Sequence, residues 1–225
     1  SAQVCTGDFG HNASWLGTKE QLKKIGMWDH KLILPYQKQI EEGKSILEID
    51  RSGSHLKSLK VFMNVDEFAI LRLNDLNFYS FNKIERIYQI ALAQMGKVFD
   101  FNFDVNTTDK LVCSELLYQS YENINWPTAP YLGRTTISPD NVTSLALYDS
   151  PPLDLIYYVA QKNKRDKIKY KNLDDLAKDM GFIKKDGLYK KVKKKCKDTI
   201  DTSSCVEVLV DLPYSHHLPI SDIML

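Results

Sequence analysis

The segment NKIERIYQIALAQMG, residues 82–96, constrains the fold more than any other part of the chain. Ile84, Ile87, Tyr88, Ala91, Leu92 and Met95 recur at helical spacing, so one face of a helix has to be buried. Asn82 is the expected N-cap and Gly96 the expected stop. Short β-rich runs stand ahead of it: HNASWLG (11–17), with Ala13 and Trp15 on one side, SILEI (45–49) and FAILRL (68–73). The order is strand, insertion, two strands, helix, loop, helix, then a Pro-rich link. That order predicts an α+β fold.

Residues 18–44 read as a polar insertion with a helix at TKEQLKKIG, capped by Thr18 and stopped by Gly26. Its Trp28 and Tyr36 are candidate substrate contacts, because long connections inside a domain often carry function; pinning the insertion to the body is the equally open alternative. SGSH reads as a turn, with His55 in it, and LKSLKVFM as a short helix or arm. KVFDFNFDVNTTDK reads as an aromatic-lined loop or strand, in which Phe99, Phe101 and Phe103 line a groove or simply pack.

The composition shifts near residue 160. Residues 162–197 hold 15 Lys/Arg and 5 Asp/Glu, a net of +10, against −9 for the rest of a chain whose total is +1. A domain over 1–160 and a Lys-rich extension over 161–225 follow, the latter with a helix at LDDLAKDMGF and a closing strand at CVEVLVDLPY. A solvated Lys-rich face is the simpler reading, and contact with an anionic polymer or headgroup is the other. Nothing points to a specific nucleic acid. No apolar run approaches 18 residues, so no transmembrane segment is expected.

Cys196 and Cys205 flank the polar stretch KDTIDTSS and are expected to form a disulfide. Such a bond implies a secreted or periplasmic location. The start at Ser1, without Met, fits a signal peptide or tag already removed. The chain has no CxxC and no paired His-Cys spacing, so no metal site is expected, and no motif asks for a cofactor.

Cys113 opens the helix expected in LVCSELLYQSY. There, free N–H groups and the helix dipole stabilise a thiolate or an oxyanion. Its neighbours Leu116, Leu117, Ser120 and Tyr121 share the face, and by residue type alone a packed structural thiol is the better reading. A nucleophile needs a base. His11, in a strand, is better held than His30, His55, His216 or His217. Glu48 sits inside an apolar strand, where a carboxylate is costly unless paired. A neighbouring strand lets it reach a ring nitrogen of His11, which completes a Cys-His-acid arrangement.

MGKVFDFNFD and LVCSELLYQSY together resemble the G-K-x-Y-D-F-x-F and CSE-x-x-x-x-x-Y stretch of the YiiX-type branch of NlpC-like cysteine hydrolases. FGHNASWLG is similar to that family's His-bearing strand, ILEIDRSG to its acid-bearing strand, FAILRL to the next strand and TTISPDNV to its Ser-Pro segment. The likeness spans residues 9–147. It implies a circularly permuted papain-like fold: an antiparallel sheet packed on helices, here with a C-terminal extension. By position it makes Cys113 the nucleophile, His11 the general base and Glu48 the residue that orients it, with Ser138 and Phe101 as further substrate contacts. The implied chemistry is hydrolysis of an amide or ester through an acyl-enzyme, on peptide, peptidoglycan or an acyl-lipid; a lipid acyltransferase or deacylase of the same fold and a non-catalytic polymer-binding module are the alternative readings. After the His, the family's small apolar residues are replaced by Asn12, Ala13 and Ser14.

Overall fold

In this computed structural model, residues 8–74, 80–131, 133–161, 169–196 and 205–212 are described. Strand β1 (Ala13–Trp15) pairs antiparallel with β2 (Lys44–Asp50), and β2 with β3 (Gly53–Ser58). Side chains alternate across a pleated sheet, so this three-stranded unit has two unlike faces. Leu47, Ile49 and Leu56 point to the core. Glu48, Asp50, His55 and Lys57 share the opposite face with the approach to β1. The hairpin closes over Arg51 and Ser52, so of SGSH only Ser52 lies in the turn, Gly53–His55 are strand, and His55 stands directly opposite Glu48. Gly53 makes this possible. Its φ is +101°, and a Cβ there would lie 2.8 Å from the Lys97 carbonyl. That close approach lets Ser54 N–H donate to Lys97 O at 2.9 Å, which seats the hairpin on the turn after the long helix.

Helix α1 (Lys19–Lys24) has the expected Thr18 cap, reciprocated by Gln21. It is followed by α2 (Gln37–Glu41), by α3 (Leu59–Phe62) directly after β3, and by β4 (Glu67–Leu73). The long helix α4 spans Phe81–Leu92. It begins before Asn82 because the Ser80 hydroxyl accepts from Lys83 N–H and takes the cap. Residues 18–44 look polar in composition, yet Leu22, Met27, Trp28, Ile33 and Ile40 pack with Leu47, Ile49, Leu92, Leu111 and Leu116 in one cluster. The insertion is a wall of the main core.

Strand β5 (Val98–Phe99) runs parallel to β6 (Lys110–Leu111), and β6 leads into α5 (Cys113–Ser120). A hairpin of β7 (Ala129–Tyr131) and β8 (Arg134–Thr136) precedes α6 (Pro139–Ser144) and β9 (Leu153–Ala160). β4 pairs with β9, and β9 with β10 (Lys169–Tyr170), so this second sheet joins segments far apart in sequence. Helix α7 (Leu173–Asp179) and a third sheet, β11 (Phe182–Lys185), β12 (Leu188–Cys196) and β13 (Cys205–Asp211), follow. In place of the one antiparallel sheet expected, the described residues form three three-stranded antiparallel sheets, the antiparallel β7–β8 hairpin and the parallel β5–β6 pair. Mixed helix and strand content fits α+β.

Across residue 160, Phe9, Leu147 and Tyr158 share a cluster with Leu176, Met180 and Phe182. Tyr158 OH reaches both Glu67 and Asp179, and Lys171 pairs with Asp179. The extension is built onto the body by apolar and polar contacts alike. Of its lysines, Lys184 pairs with Asp174, Lys190 with Asp211, and Lys191 donates to the Met180 carbonyl. Backbone register places Cys196 opposite Cys205, while the side chains of both, and so the expected disulfide, lie outside the described residues. Among the described residues no helix is long and apolar enough to cross a membrane.

Candidate active site

Three elements bring Cys113, His11 and Glu48 together. The register Ala13↔Glu48 sets the Glu48 side chain on the same face as His11, two residues before Ala13. His11 Nε2 lies 2.9 Å from Glu48 Oε2. With Nε2 held there, Nδ1 is the nitrogen left to face Cys113, whose thiol lies close enough to raise the titration of the imidazole. Phe9 N–H donates to Asp140 Oδ1 at 2.9 Å, which fixes the chain two residues ahead of the imidazole. The Phe62 ring of α3 packs against the imidazole, with centroids 5.8 Å apart.

Cys113 is the first residue of α5, and the chain before it explains why the helix starts there. Asp100 is buried and accepts from the backbone N–H groups of Asn102 and Asp104 and from the Thr107 hydroxyl, which organises the loop ahead of β6. The Glu115 carboxylate folds back to accept Val112 N–H at 2.9 Å, satisfying an otherwise free donor at the helix start. Burial pushes the Glu115 carboxyl up to about 7, with the Asp100 and Asp104 charges adding to the effect. The acidic residues of DFNFD and CSE therefore build the platform from which the thiol projects.

Electrostatics around the thiol favour the ion pair. Burial alone would raise the Cys113 thiol. The His11 hydrogen bond and charge, the Asn12 backbone N–H and the Ser114 hydroxyl outweigh it, and the thiol lies below its ordinary value. Burial alone would lower His11. Hydrogen bonds and charge from Cys113 and Glu48 instead push it up to about 9. Glu48 is 1% exposed, and although burial would raise it, His11 and Lys57 hold it below the usual carboxylate range.

Sequence reasoning missed three residues here. Asn12 supplies the backbone N–H toward the sulfur, and its side-chain amide donates to Ser114 Oγ at 2.9 Å. Ser114 Oγ lies 3.9 Å from Cys113 Sγ and keeps its own proton to face it. Lys57 Nζ forms an ion pair with Glu48 Oε1, and His55 Nε2 lies 3.1 Å from the same oxygen. The signal for Lys57 was its place two residues after His55, on the strand face that meets Glu48. Glu48, Asp50 and His55 bring ligand atoms within 4.8 Å of one another, a spacing that suits a metal. The Lys57 ammonium faces both carboxylates and already supplies a cation to the group.

The remaining candidates fall elsewhere. Trp28 is 7% exposed and packs in the main core, so it pins the insertion and presents no face to a substrate. Tyr36 packs partly buried against the same cluster. The Ser138 hydroxyl and N–H are both engaged with Asn141, which makes Ser138 the N-cap of α6. Phe101 is 68% exposed, its ring set edge-on to Phe99 at 4.9 Å.

Neither a curated protein nor a solved structure matches the chain. The family model described as permuted papain-like amidase enzyme, YaeF/YiiX, C92 family matches residues 2–157. With its histidine strand, acid strand and CSE helix all inside that span, the chain belongs to the permuted papain-like amidases of the YaeF/YiiX family.

Proposed function

We propose that the protein is a cysteine hydrolase that cleaves an amide bond through an acyl-enzyme on Cys113. The observation that carries this reading is the Glu48–His11 contact at 2.9 Å beside a thiol at the first turn of α5, with the imidazole and the thiol favouring each other's charged forms. The Cys113 thiolate attacks the amide carbonyl carbon and forms the C–S bond. Cys113 N–H and the start of α5 face the developing oxyanion. The tetrahedral adduct collapses as the His11 imidazolium gives its proton to the departing amine. The now neutral His11 takes a proton from water, which attacks the thioester, and the thiolate leaves as the carboxylate product is released. Glu48 keeps the ring oriented throughout.

A peptide of the cell wall is the substrate we favour, in keeping with an amidase family. An acyl-lipid is the second reading. The Phe62 ring lies against His11, and its sequence neighbours Val61 and Val65, 60% and 56% exposed, are the residues we assign to an apolar lip for a fatty chain. The test is incubation with purified peptidoglycan fragments and, separately, with phospholipid vesicles, scored for released peptide amine or fatty acid. Release by the wild type and none by Cys113→Ala supports the reading. Equal release by both chains sinks it.

We also propose that Cys196 and Cys205 are bonded and that the protein acts in an oxidising, exported location. Directly opposed residues of an antiparallel pair have Cα atoms about 4.5–5.5 Å apart, inside the range a disulfide spans. Non-reducing mass spectrometry of the intact protein is expected to find this bond and a free Cys113. Two free thiols at 196 and 205 would contradict it. The Lys-rich sheet is the surface we assign to an anionic polymer such as the cell wall itself.

A further inference from the structure

We propose that Lys57 is a positioning residue of this site, a cation that keeps the buried Glu48 carboxylate ionised and turned toward His11 while His11 gains and loses its proton. The inference rests on reading Cys113, His11 and Glu48 as catalytic. Glu48 is 1% exposed, and its two oxygens face different partners: Oε2 faces His11 at 2.9 Å, and Oε1 faces Lys57 Nζ and, at 3.1 Å, His55 Nε2. Lys57 is itself held from the far side, with Asp50 Oδ2 3.7 Å from its Nζ. β3 delivers both cationic residues because His55 stands opposite Glu48 and Lys57 follows two residues later on the same face.

The proton cycle shows why a second cation is needed. When His11 gives its proton to the leaving amine it becomes neutral, and a buried carboxylate with no other counter-charge would be strongly destabilised. It would then take a proton itself or hold His11 in the charged form. An ammonium that takes no part in the transfers supplies the counter-charge at every step. It also weakens the pull of Glu48 on the imidazolium proton, which makes His11 a better acid toward the amine. The charges of Lys57 and His55 beside Oε1, with His11 beside Oε2, favour the carboxylate orientation that faces the ring. The charged and titratable groups facing this carboxylate are His11, His55, Lys57 and Asp50, with Cys113 beyond the imidazole.

The test compares wild type, Lys57→Met and Lys57→Arg in two assays, hydrolysis and alkylation of Cys113 by iodoacetate across pH. Iodoacetate is anionic, so its reaction is assisted by the imidazolium and slows when His11 loses its proton. Lys57→Met is expected to move that basic limb upward by about half a pH unit or more. It should also lower kcat about tenfold with KM within about twofold, since an interaction used in the chemical step has been removed. Lys57→Arg, which keeps the charge, should restore both. A Lys57→Met protein with an unmoved limb and unchanged kcat would reduce the pair to a solvent-edge contact and overturn the inference. So would a folded Lys57→Arg protein whose kcat falls about tenfold although the charge is kept, and that arm, read against the wild type, decides the matter even if the Met variant does not fold. A wild type with no imidazolium limb would remove the catalytic reading itself. A wild type that has the limb, beside an unaffected Lys57→Met, removes only the role of Lys57.

Discussion

Cys113→Ala is expected to lower kcat/KM for amide hydrolysis by about 10⁴ or more, because the chain then has no atom with which to form the acyl-enzyme. The fold should survive. Cys113 is only partly buried at the first turn of α5, and the helix start is held by Glu115 and the loop organised by Asp100 rather than by the thiol. Unchanged thermal unfolding together with lost turnover is the expected pair of results. Measurable turnover by a correctly folded Cys113→Ala protein would move the chemistry to another residue.

Glu48→Gln is the second large effect. The amide keeps the shape of the carboxylate but removes the charge that, with the larger effect of Cys113, holds His11 up at about 9, so the imidazolium becomes easier to deprotonate. The basic limb of the pH profile should therefore move down, the opposite direction to that expected of Lys57→Met. Loss of the correctly oriented, charge-supported ring should reduce kcat by about 10²–10³. Lys57 and His55 lose their shared partner, but both are partly open to water and can be hydrated there, so the stability cost stays near about 1–2 kcal/mol. The sign of the linkage is fixed as well. His11 titrates at about 9 in the folded chain against an ordinary 6.5, so its contribution to stability is fully present below about 6.5 and is lost as pH rises through about 9. Kinetics across pH together with unfolding in urea at pH 6 and pH 10 check both effects.

Local pattern made much of the site visible in the sequence. A carboxylate in the apolar run SILEI had to be paired, and a histidine close to the preceding strand was within reach; that histidine lies just ahead of β1 rather than in it, and the observed Ala13↔Glu48 register puts the two on one face. The helix starting at Cys113 and the Thr18 cap follow from short-range rules of the same kind. What escaped depended on pairings distant in sequence or on a single backbone torsion. Reading SGSH as a turn hid the fact that His55 and Lys57 face Glu48, because the hairpin is tightened by Gly53 against Lys97 and the strand starts at once. β4 finds its partner in β9, more than eighty residues on, and nothing in FAILRL says so. Residues 18–44 looked polar by count, but Leu22, Met27, Ile33 and Ile40 are spaced to bury together, and that spacing outweighs the lysines around them. Trp28 went into the core for the same reason.

The central claim is that Cys113 and His11 form a thiolate–imidazolium pair in the free protein, and alkylation with the neutral reagent iodoacetamide measures it without any knowledge of the substrate. The reagent is reacted with the folded chain from pH 4 to pH 11, and peptide mapping confirms that the label is on Cys113. The predicted profile shows substantial reaction well below pH 8, where an ordinary thiol with a value of about 8.5 is protonated, and a second change near pH 9 as His11 loses its proton. A single rise centred near about 8.5, unchanged in His11→Ala, would mean an isolated thiol and would contradict the assignment of Cys113 as a nucleophile activated by His11 and Glu48.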